Sequence, residues 1–429
     1  MSQSKPQNEV KSPLISQFQH VRNFSEQLCS PLEVEDFCLQ SMPEASPVKW
    51  HLAHTSWFFE TFLLIPYFRN YKSFHPQFHY LFNSYYNSVG KQFPRPQRGL
   101  QSRPTVAEVF QYRQYVDQHM IELLNSEKNH PEIVARVTLG IQHEQQHQEL
   151  LLTDLKHALS FNPIYPIYHT GAFEQTTNEQ QPLNWLKIQG GIQMIGENGG
   201  QDNFCFDNET PKHQMLLQDF QIADRLITNK EFLEFIEDEA YQQPLLWLSD
   251  GWSFIQQNGI TKPLYWQSKD QQWFEFTLSG LQPLNPDQPV THISFYEADA
   301  YARWAEARLL TEFEWEVAAK PLTVRGNFVD SAHFNPESCL SPNDTEVAPL
   351  QMFGDCWEWT QSGYFSYPGF KVVEGAIGEY NGKFMSNQMV LRGGSCVTSR
   401  AHIRPTYRNF FYPDARWQFS GIRLARDSD

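Results

Sequence analysis

A chain of 429 residues exceeds what one ordinary compact core organises, and a length of this order predicts two domains. Its 33 basic and 49 acidic side chains leave a formal charge of −16, which repels phosphate backbones and anionic headgroups and argues against nucleic acid or a membrane surface as a partner. Six cysteines with no C-x-x-C pair indicate neither a disulfide framework nor a zinc knuckle, and they read as reduced thiols packed as small hydrophobes.

The stretch Met1 to Pro13 is polar and lacks the apolar core of a signal peptide. The most apolar run, Trp57 to Phe68, is short and interrupted by Glu60 and Pro66, so the expectation is a cytoplasmic protein without a membrane span. Residues 1–170 read as a four-helix bundle. One helix lies near Leu14 to Cys29. The next opens at Ser46-Pro47, as N-cap and N1 proline, and carries Trp50, His54, Trp57, Phe58 and Thr61 at helical spacing. A third starts near Pro104 and runs through Glu108, Phe110, Tyr115 and Met120. The fourth follows Pro131, carries Ile133, Val137, Ile141, Leu151 and Leu155, and stops at Asn162-Pro163. Residues 171–183 turn polar and Gln/Thr-rich, as an interdomain linker does. From 184 to 429 short apolar runs alternate with Gly, Asn, Asp and Pro clusters, with helices expected only at Thr228–Ile236 and Tyr296–Ala307. The fold class is α+β. Aromatic residues at 15% of the chain, many in aperiodic stretches, suit a loop-rich second domain with shaped pockets.

His143 and His147 in GIQHEQQHQELLL are four apart, so on a helix both imidazoles leave one face a turn apart, close enough to share an ion. The same five residues match H-E-x-x-H, in which a zinc protease uses the glutamate as general base. A His on the Trp50/Trp57/Phe58 arc of another bundle helix is expensive to bury without a partner, which favours a metal. His54 lies near the middle of that arc and His51 borders it; helix geometry alone leaves both in play. Glu149 and Asp154 remain as alternative ligands for a zinc-protease reading, although the metzincin continuation is absent. Three neutral imidazoles would leave up to three coordination positions open, which suits a redox metal, and zinc could bind the same set.

Several segments of the second domain resemble the formylglycine-generating (sulfatase-modifying-factor) family, a C-type-lectin-like fold. They are WLKIQGGIQMIGEN (185–198), DRLITNKEFLEFIED (224–238), PVTHISFYEADAYARWAEARLLTEFEWEVAAK (289–320), FGDCWEWT (353–360), VLRGGSC (390–396), YRN (407–409) and FSGIRLAR (419–426). The two catalytic cysteines of true formylglycine generators correspond here to Thr398 and Ile403, so that activity is not expected. WHLAHTSWFFE (50–60) and HEQQH (143–147) resemble the DinB-like bundle that precedes this module in the sulfoxide synthases of ergothioneine biosynthesis.

That resemblance implies a mononuclear iron(II) site on His54, His143 and His147. It also implies a dioxygen-dependent reaction joining a cysteine-type thiol to C2 of hercynine with oxidation to the sulfoxide. In one branch of the family the catalytic tyrosine sits three residues before the position matched by Tyr380; here that place is Ile377. The tandem Tyr85 and Tyr86 of FNSYYNSVG instead resemble the branch in which such a pair serves oxygen activation. The resemblance places the donor carboxylate near Arg95 and Arg98, in FPRPQRGLQSRP, and suggests Gln146 as a hydrogen-bond partner of hercynine. Asn409, Phe410, Phe411 and Trp417 are the candidate wall for its quaternary ammonium, which aromatic faces hold better than hydrogen-bond acceptors do. Cysteine is the expected donor and γ-glutamylcysteine the alternative. A zinc hydrolase using Glu144, an ovothiol-type synthase acting on histidine, and a non-enzymatic ligand-binding protein are the competing readings.

Overall fold

The computed structural model describes residues 13–127, 130–170, 182–199, 204–339 and 348–428, so all but the last two residues of the expected linker lie outside it. Two compact units divide the chain, Met1–Leu155 and Lys156–Asp429.

The first unit is helical: α1 (Pro13–Cys29), α2 (Val48–Phe59), the short α3 (Ile65–Tyr67) and α4 (Phe78–Leu81), α5 (Val106–Ser126) and most of α6 (Pro131–Ser160). Phe18 and Val21 of α1, Val116 and Met120 of α5, and Val137 and Ile141 of α6 are buried at helical spacing. These stripes close around α2, which is buried along its whole length. A helix with no solvent face must pair every polar side chain it carries, and α2 carries Lys49, His51, His54, Thr55 and Ser56. Ser46 does not cap it: Pro47 takes the N-cap position, and the Ser46 hydroxyl accepts a hydrogen bond from Arg98 Nη1 at 2.9 Å. At its far end α2 widens into a π-helical turn, Glu60–Leu64, an irregularity found disproportionately at functional sites. There the buried Glu60 carboxylate accepts from Tyr112 Oη (2.6 Å), Tyr71 Oη (2.7 Å) and the Phe74 amide (3.2 Å).

The second unit contains β1 (Trp185–Ile188), β2 (Gly191–Ile195), β3 (His213–Leu217), β4 (Phe220–Ala223), α7 (Asn229–Glu237), α8 (Ser249–Asn258), β5 (Trp266–Lys269), β6 (Gln272–Thr277) and β7 (Gly280–Pro283). It continues with α9 (Phe295–Trp304), β8 (Arg308–Leu309), α10 (Glu312–Ala319), β9 (Trp357–Gly363), β10 (Met389–Arg392), β11 (Asn409–Phe411), β12 (Ser420–Gly421) and β13 (Leu424–Asp427). One sheet runs β1-β4-β13-β8, joining the first strand of the unit to its last; a second runs β11-β10-β9-β12, with smaller ladders β2-β3 and β5-β6-β7. This mixed sheet-and-helix unit after a helical bundle is the α+β arrangement expected. Helices α8 and α10 were not anticipated. In α10 the acidic Glu312, Glu314 and Glu316 are buried, which masks the apolar stripe a sequence reader looks for. The available signal was its capping box, Thr311 with Glu314, the device that also starts α5, α7 and α9. Glu312 receives Arg408 through Nε (2.8 Å) and Nη2 (2.9 Å), and Arg392 through Nη2 (3.0 Å), which fixes the entrance to β11.

Candidate metal centre

His54 comes from α2, and His143 and His147 from successive turns of α6. One ring nitrogen from each lies within 4.8 Å of the other two. Close approach of the two helices makes this possible, and Gly140, one turn before His143, is where they touch: a Cβ there would fall 2.5 Å from Phe59 Cε1. The His54 imidazole lies nearly parallel to the indoles of Trp50 (centroids 4.6 Å, 12°) and Trp57 (5.4 Å, 16°), which keep water from it. Phe58 sits 4.6 Å from the His143 ring.

The donor set fits a metal. His54 Nδ1 donates to the Phe82 carbonyl at 2.6 Å, so its Nε2 carries the free lone pair, and that buried atom has no hydrogen-bond partner. Burial, reinforced by neighbouring imidazoles, pushes the pKa values of His54 and His147 well down, and burial pushes that of His143 to about 3. Neutral imidazole is the form that coordinates. Three such nitrogens without a carboxylate suit a divalent transition ion of borderline softness, iron or zinc.

The alternatives left open by the sequence separate here. His51 is not in the triad; its Nδ1 lies 2.9 Å from His147 Nδ1 and its Nε2 3.2 Å from Asp154 Oδ2. Neither Glu149 nor Asp154 joins the cluster. Glu144 points elsewhere: its carboxylate accepts from Arg22 Nη1 (2.8 Å), Arg113 Nη2 (3.0 Å) and Ser25 Oγ (2.7 Å). Burial acts to raise its pKa, and the two guanidinium groups outweigh that and hold it below the usual carboxylate range. A carboxylate clamped this way anchors the helix and is not a free base beside the histidine cluster.

The tyrosine pair follows α4 on a turn tied by Asn83, whose Nδ2 donates to the carbonyls of Tyr86 and Gly90, both at 3.1 Å, and whose Oδ1 accepts from the Tyr86 amide at 3.2 Å. Tyr86 is fully buried against Phe62 (5.2 Å) and Trp57 (5.6 Å), while Tyr85 is half-buried and stacked on it at 4.7 Å. Trp57 therefore touches both the tyrosine pair and His54. Arg98 lies in a 3-10 turn, Arg95–Leu100, with its guanidinium 3.4 Å over the face of Trp50. It is 3% exposed, its Nε has no hydrogen-bond partner among the described residues, and the Asp154 carboxylate attracts it. Burial, with Arg95 nearby, pushes its pKa down to about 8. Arg95 itself is exposed and donates to the Glu44 carbonyl, and Gln146 is half-buried on α6.

In the second unit, β11 pairs Asn409 with Leu391, Phe410 with Val390 and Phe411 with Met389. Successive strand residues point to opposite faces, so Phe410 and Phe411 cannot line one pocket. Phe410 stacks on Tyr364 (4.0 Å, 12°) and Phe411 meets Trp417 edge-on at 5.8 Å, with Asn409 on the Phe411 face. Tyr380 is buried in a stack on Phe206 at 5.4 Å. At the positions matching the formylglycine generators' cysteines, Thr398 Oγ1 accepts from the Ser395 amide at 2.8 Å and Ile403 is buried, so no thiol pair exists there.

Comparison with known proteins gives two family matches, the DinB superfamily over residues 17–151 and the sulfatase-modifying factor enzyme 1-like domain over 171–339 and 329–428. The chain is 32% identical over 313 residues to hercynine oxygenase of Mycolicibacterium smegmatis, covering 68% of this chain and 72% of the relative. It is 32% identical over 310 residues to hercynine oxygenase of Mycobacterium tuberculosis, covering 67% and 70%. Similarity to the formylglycine-generating enzyme of Streptomyces coelicolor is 26% over 285 residues, or 57% of this chain. Among the described residues no helix is long and apolar enough to cross a membrane.

Proposed function

The chain belongs to the family of the hercynine oxygenases, and from that membership we propose that it is an iron(II)- and dioxygen-dependent sulfoxide synthase acting on hercynine and a cysteine-type thiol. Thiol, imidazole C2–H and dioxygen give the C–S bond of the sulfoxide and one water, which balances atoms and electrons without a further reductant. The observation that carries this reading is the triad itself: three neutral imidazoles from two helices, no carboxylate among them, and the adjacent Glu144 withdrawn into an ion-pair cluster. A hydrolase built on H-E-x-x-H needs that glutamate free.

His54, His143 and His147 would hold the ion. Bound there, iron(II) supplies positions where thiolate and dioxygen meet and the electrons that start oxygen reduction. Trp50, Trp57 and Phe58 exclude water from the ligand rings. Tyr86 and Tyr85 hold the phenolic protons that control protonation of reduced oxygen, against competing oxidation of the thiol alone. Arg98 is the anchor for the donor's carboxylate: a buried guanidinium whose Nε has no hydrogen-bond partner among the described residues gains a charge-assisted pair when an anion arrives. The accessible Arg95 assists. Gln146 offers hercynine an amide, and Asn409, Phe411 and Trp417 offer a face of the kind a quaternary ammonium requires. Phe410 stands behind that face, stacked on Tyr364, and Tyr380 is stacked on Phe206. Cysteine is the proposed donor, with γ-glutamylcysteine as its competitor.

The test is anaerobic loading with iron(II) followed by oxygen, hercynine and each thiol, with mass analysis of products. Hercynylcysteine sulfoxide is the expected product. Cysteine sulfinate alone, or sulfoxide formed faster from histidine than from hercynine, would overturn the assignment.

A further inference from the structure

We infer that Asp154 and His51 act together as positioning residues that keep the proton of His147 on Nδ1, so that its Nε2 is presented bare to the metal. This rests on the reading of His54, His143 and His147 as the metal site.

The hydrogen-bond directions are set by Asp154, whose carboxylate cannot donate. Asp154 Oδ2 accepts from the Ser46 amide at 2.8 Å and lies 3.2 Å from His51 Nε2. A carboxylate only accepts, so the proton between them belongs to His51 Nε2. Taken as the uncharged ring, His51 then has a lone pair on Nδ1. That atom lies 2.9 Å from His147 Nδ1, and two bare nitrogens would repel at this distance, so His147 supplies the proton. The remaining nitrogen of His147, Nε2, is left as a donor atom for the cluster.

His54 reaches the same state by a different device, since its Nδ1 donates to the backbone carbonyl of Phe82. A carbonyl can only accept, and it fixes the tautomer unaided. His51 can donate or accept at Nδ1, and on its own it would leave His147 undetermined; Asp154 removes that freedom. The spacing supports the pairing. Asp154 stands seven residues beyond His147 on α6, on the same face, and His51 stands one turn before His54 on α2, so the two helices that supply the ligands also supply their support. Asp154 is 5% and His51 3% exposed, which leaves little water to substitute for either bond. Ser46 is held in turn by Arg98 Nη1 on its hydroxyl, so the amide that binds Asp154 sits on a fixed support.

The direct test is a multiple-bond 1H–15N correlation on metal-free, full-length protein labelled with 15N-histidine. The expected pattern is Nδ1–H for His147 and Nε2–H for His51, and the reverse assignment at either ring overturns the inference. A second reading uses cobalt(II) affinity by chelator competition, with thermal unfolding as the control for folding. Asp154→Leu removes the acceptor and is expected to weaken cobalt binding by about 10–100-fold. Asp154→Asn keeps a carbonyl oxygen where Oδ2 stands and is expected to remain within about threefold of wild type, whereas a purely electrostatic role for Asp154 would make Asn as damaging as Leu. Should Asp154→Leu not fold, His51→Phe, which removes the acceptor for His147, is read in its place with the same expected loss. Wild-type affinity in the folded variant refutes the relay alone. A wild-type protein that binds neither cobalt(II) nor iron(II) refutes the metal site beneath it.

Discussion

Replacing Gly140 with alanine sets two effects of known size against each other. In a helix interior the substitution by itself stabilises by about 1 kcal/mol. Here the new Cβ would lie 2.5 Å from Phe59 Cε1, 2.8 Å from Cζ and 3.2 Å from Phe58 Cε1. Carbon pairs rest at roughly 3.5–4 Å, so α2 and α6 must separate by about 1 Å or Phe59 must turn. Phe59 is 1% exposed and boxed edge-on by Phe18 at 5.0 Å, so turning means repacking. Overpacking of this kind costs about 1–3 kcal/mol, which exceeds the helical gain and predicts a net loss near 1 kcal/mol, a fall in Tm of roughly 2–4 °C. The larger effect is expected one turn away. Metal–nitrogen bonds tolerate only about 0.2 Å, so a 1 Å separation of the helices carrying His54 and His143 should lower affinity for iron(II) or cobalt(II) by at least about tenfold. Thermal unfolding and chelator competition on the same sample check both parts. A variant with raised Tm and wild-type metal affinity would refute the claim that this contact sets the ligand spacing.

Glu144→Gln should destabilise the first unit by about 3 kcal/mol, because Arg22 and Arg113 lose their shared buried carboxylate and keep only the more exposed Asp117 and Glu26; a variant with intact Tm and abolished turnover would instead restore a base role. Tyr85→Phe and Tyr86→Phe, folded and iron-loaded, should shift product from sulfoxide toward cysteine sulfinate, and wild-type partitioning in both would sink the proton role. Arg98→Leu should weaken apparent affinity for the thiol about 10–100-fold and leave that for hercynine unchanged, the amount expected for one charge-assisted bond. Phe411→Ala should narrow the preference for hercynine over histidine by up to about 30-fold, with Phe410→Ala changing it less; equal effects would argue against the division of faces along β11.

The bundle was legible because its helices carry apolar residues at an uninterrupted period, and the helix of the candidate metal centre because two histidines four apart have few other uses in a buried position. The choice between His51 and His54 was not legible from helix geometry. Burial of α2 on every side removes the polar-against-apolar contrast by which one histidine is told from another, and the position of α6 decides between them. Asp154 was visible as a residue on the correct face, at i+7 from His147, but spacing does not say whether a carboxylate touches a metal or the histidine beside it. Gly140 left only the weak mark of a glycine inside a helical run. In the second unit, two adjacent phenylalanines suggested a single pocket, and strand alternation separates them. The three acids of α10 looked like a solvated face because their arginine partners, Arg392 and Arg408, are distant in sequence.

The hydrogen bond from His54 to the Phe82 carbonyl also acts as a ruler along the chain. Three residues beyond that carbonyl the tyrosine pair begins, held by the Asn83 turn. Each inserted residue lengthens an extended segment by up to about 3.4 Å, so an insertion between Phe82 and Tyr86 would either pull the ring of His54 or carry the phenols away from Trp57. Loop length is therefore fixed between Phe82 and Tyr86. Natural variants of this chain should keep the interval from Phe82 to Tyr86 constant, whatever residues fill it.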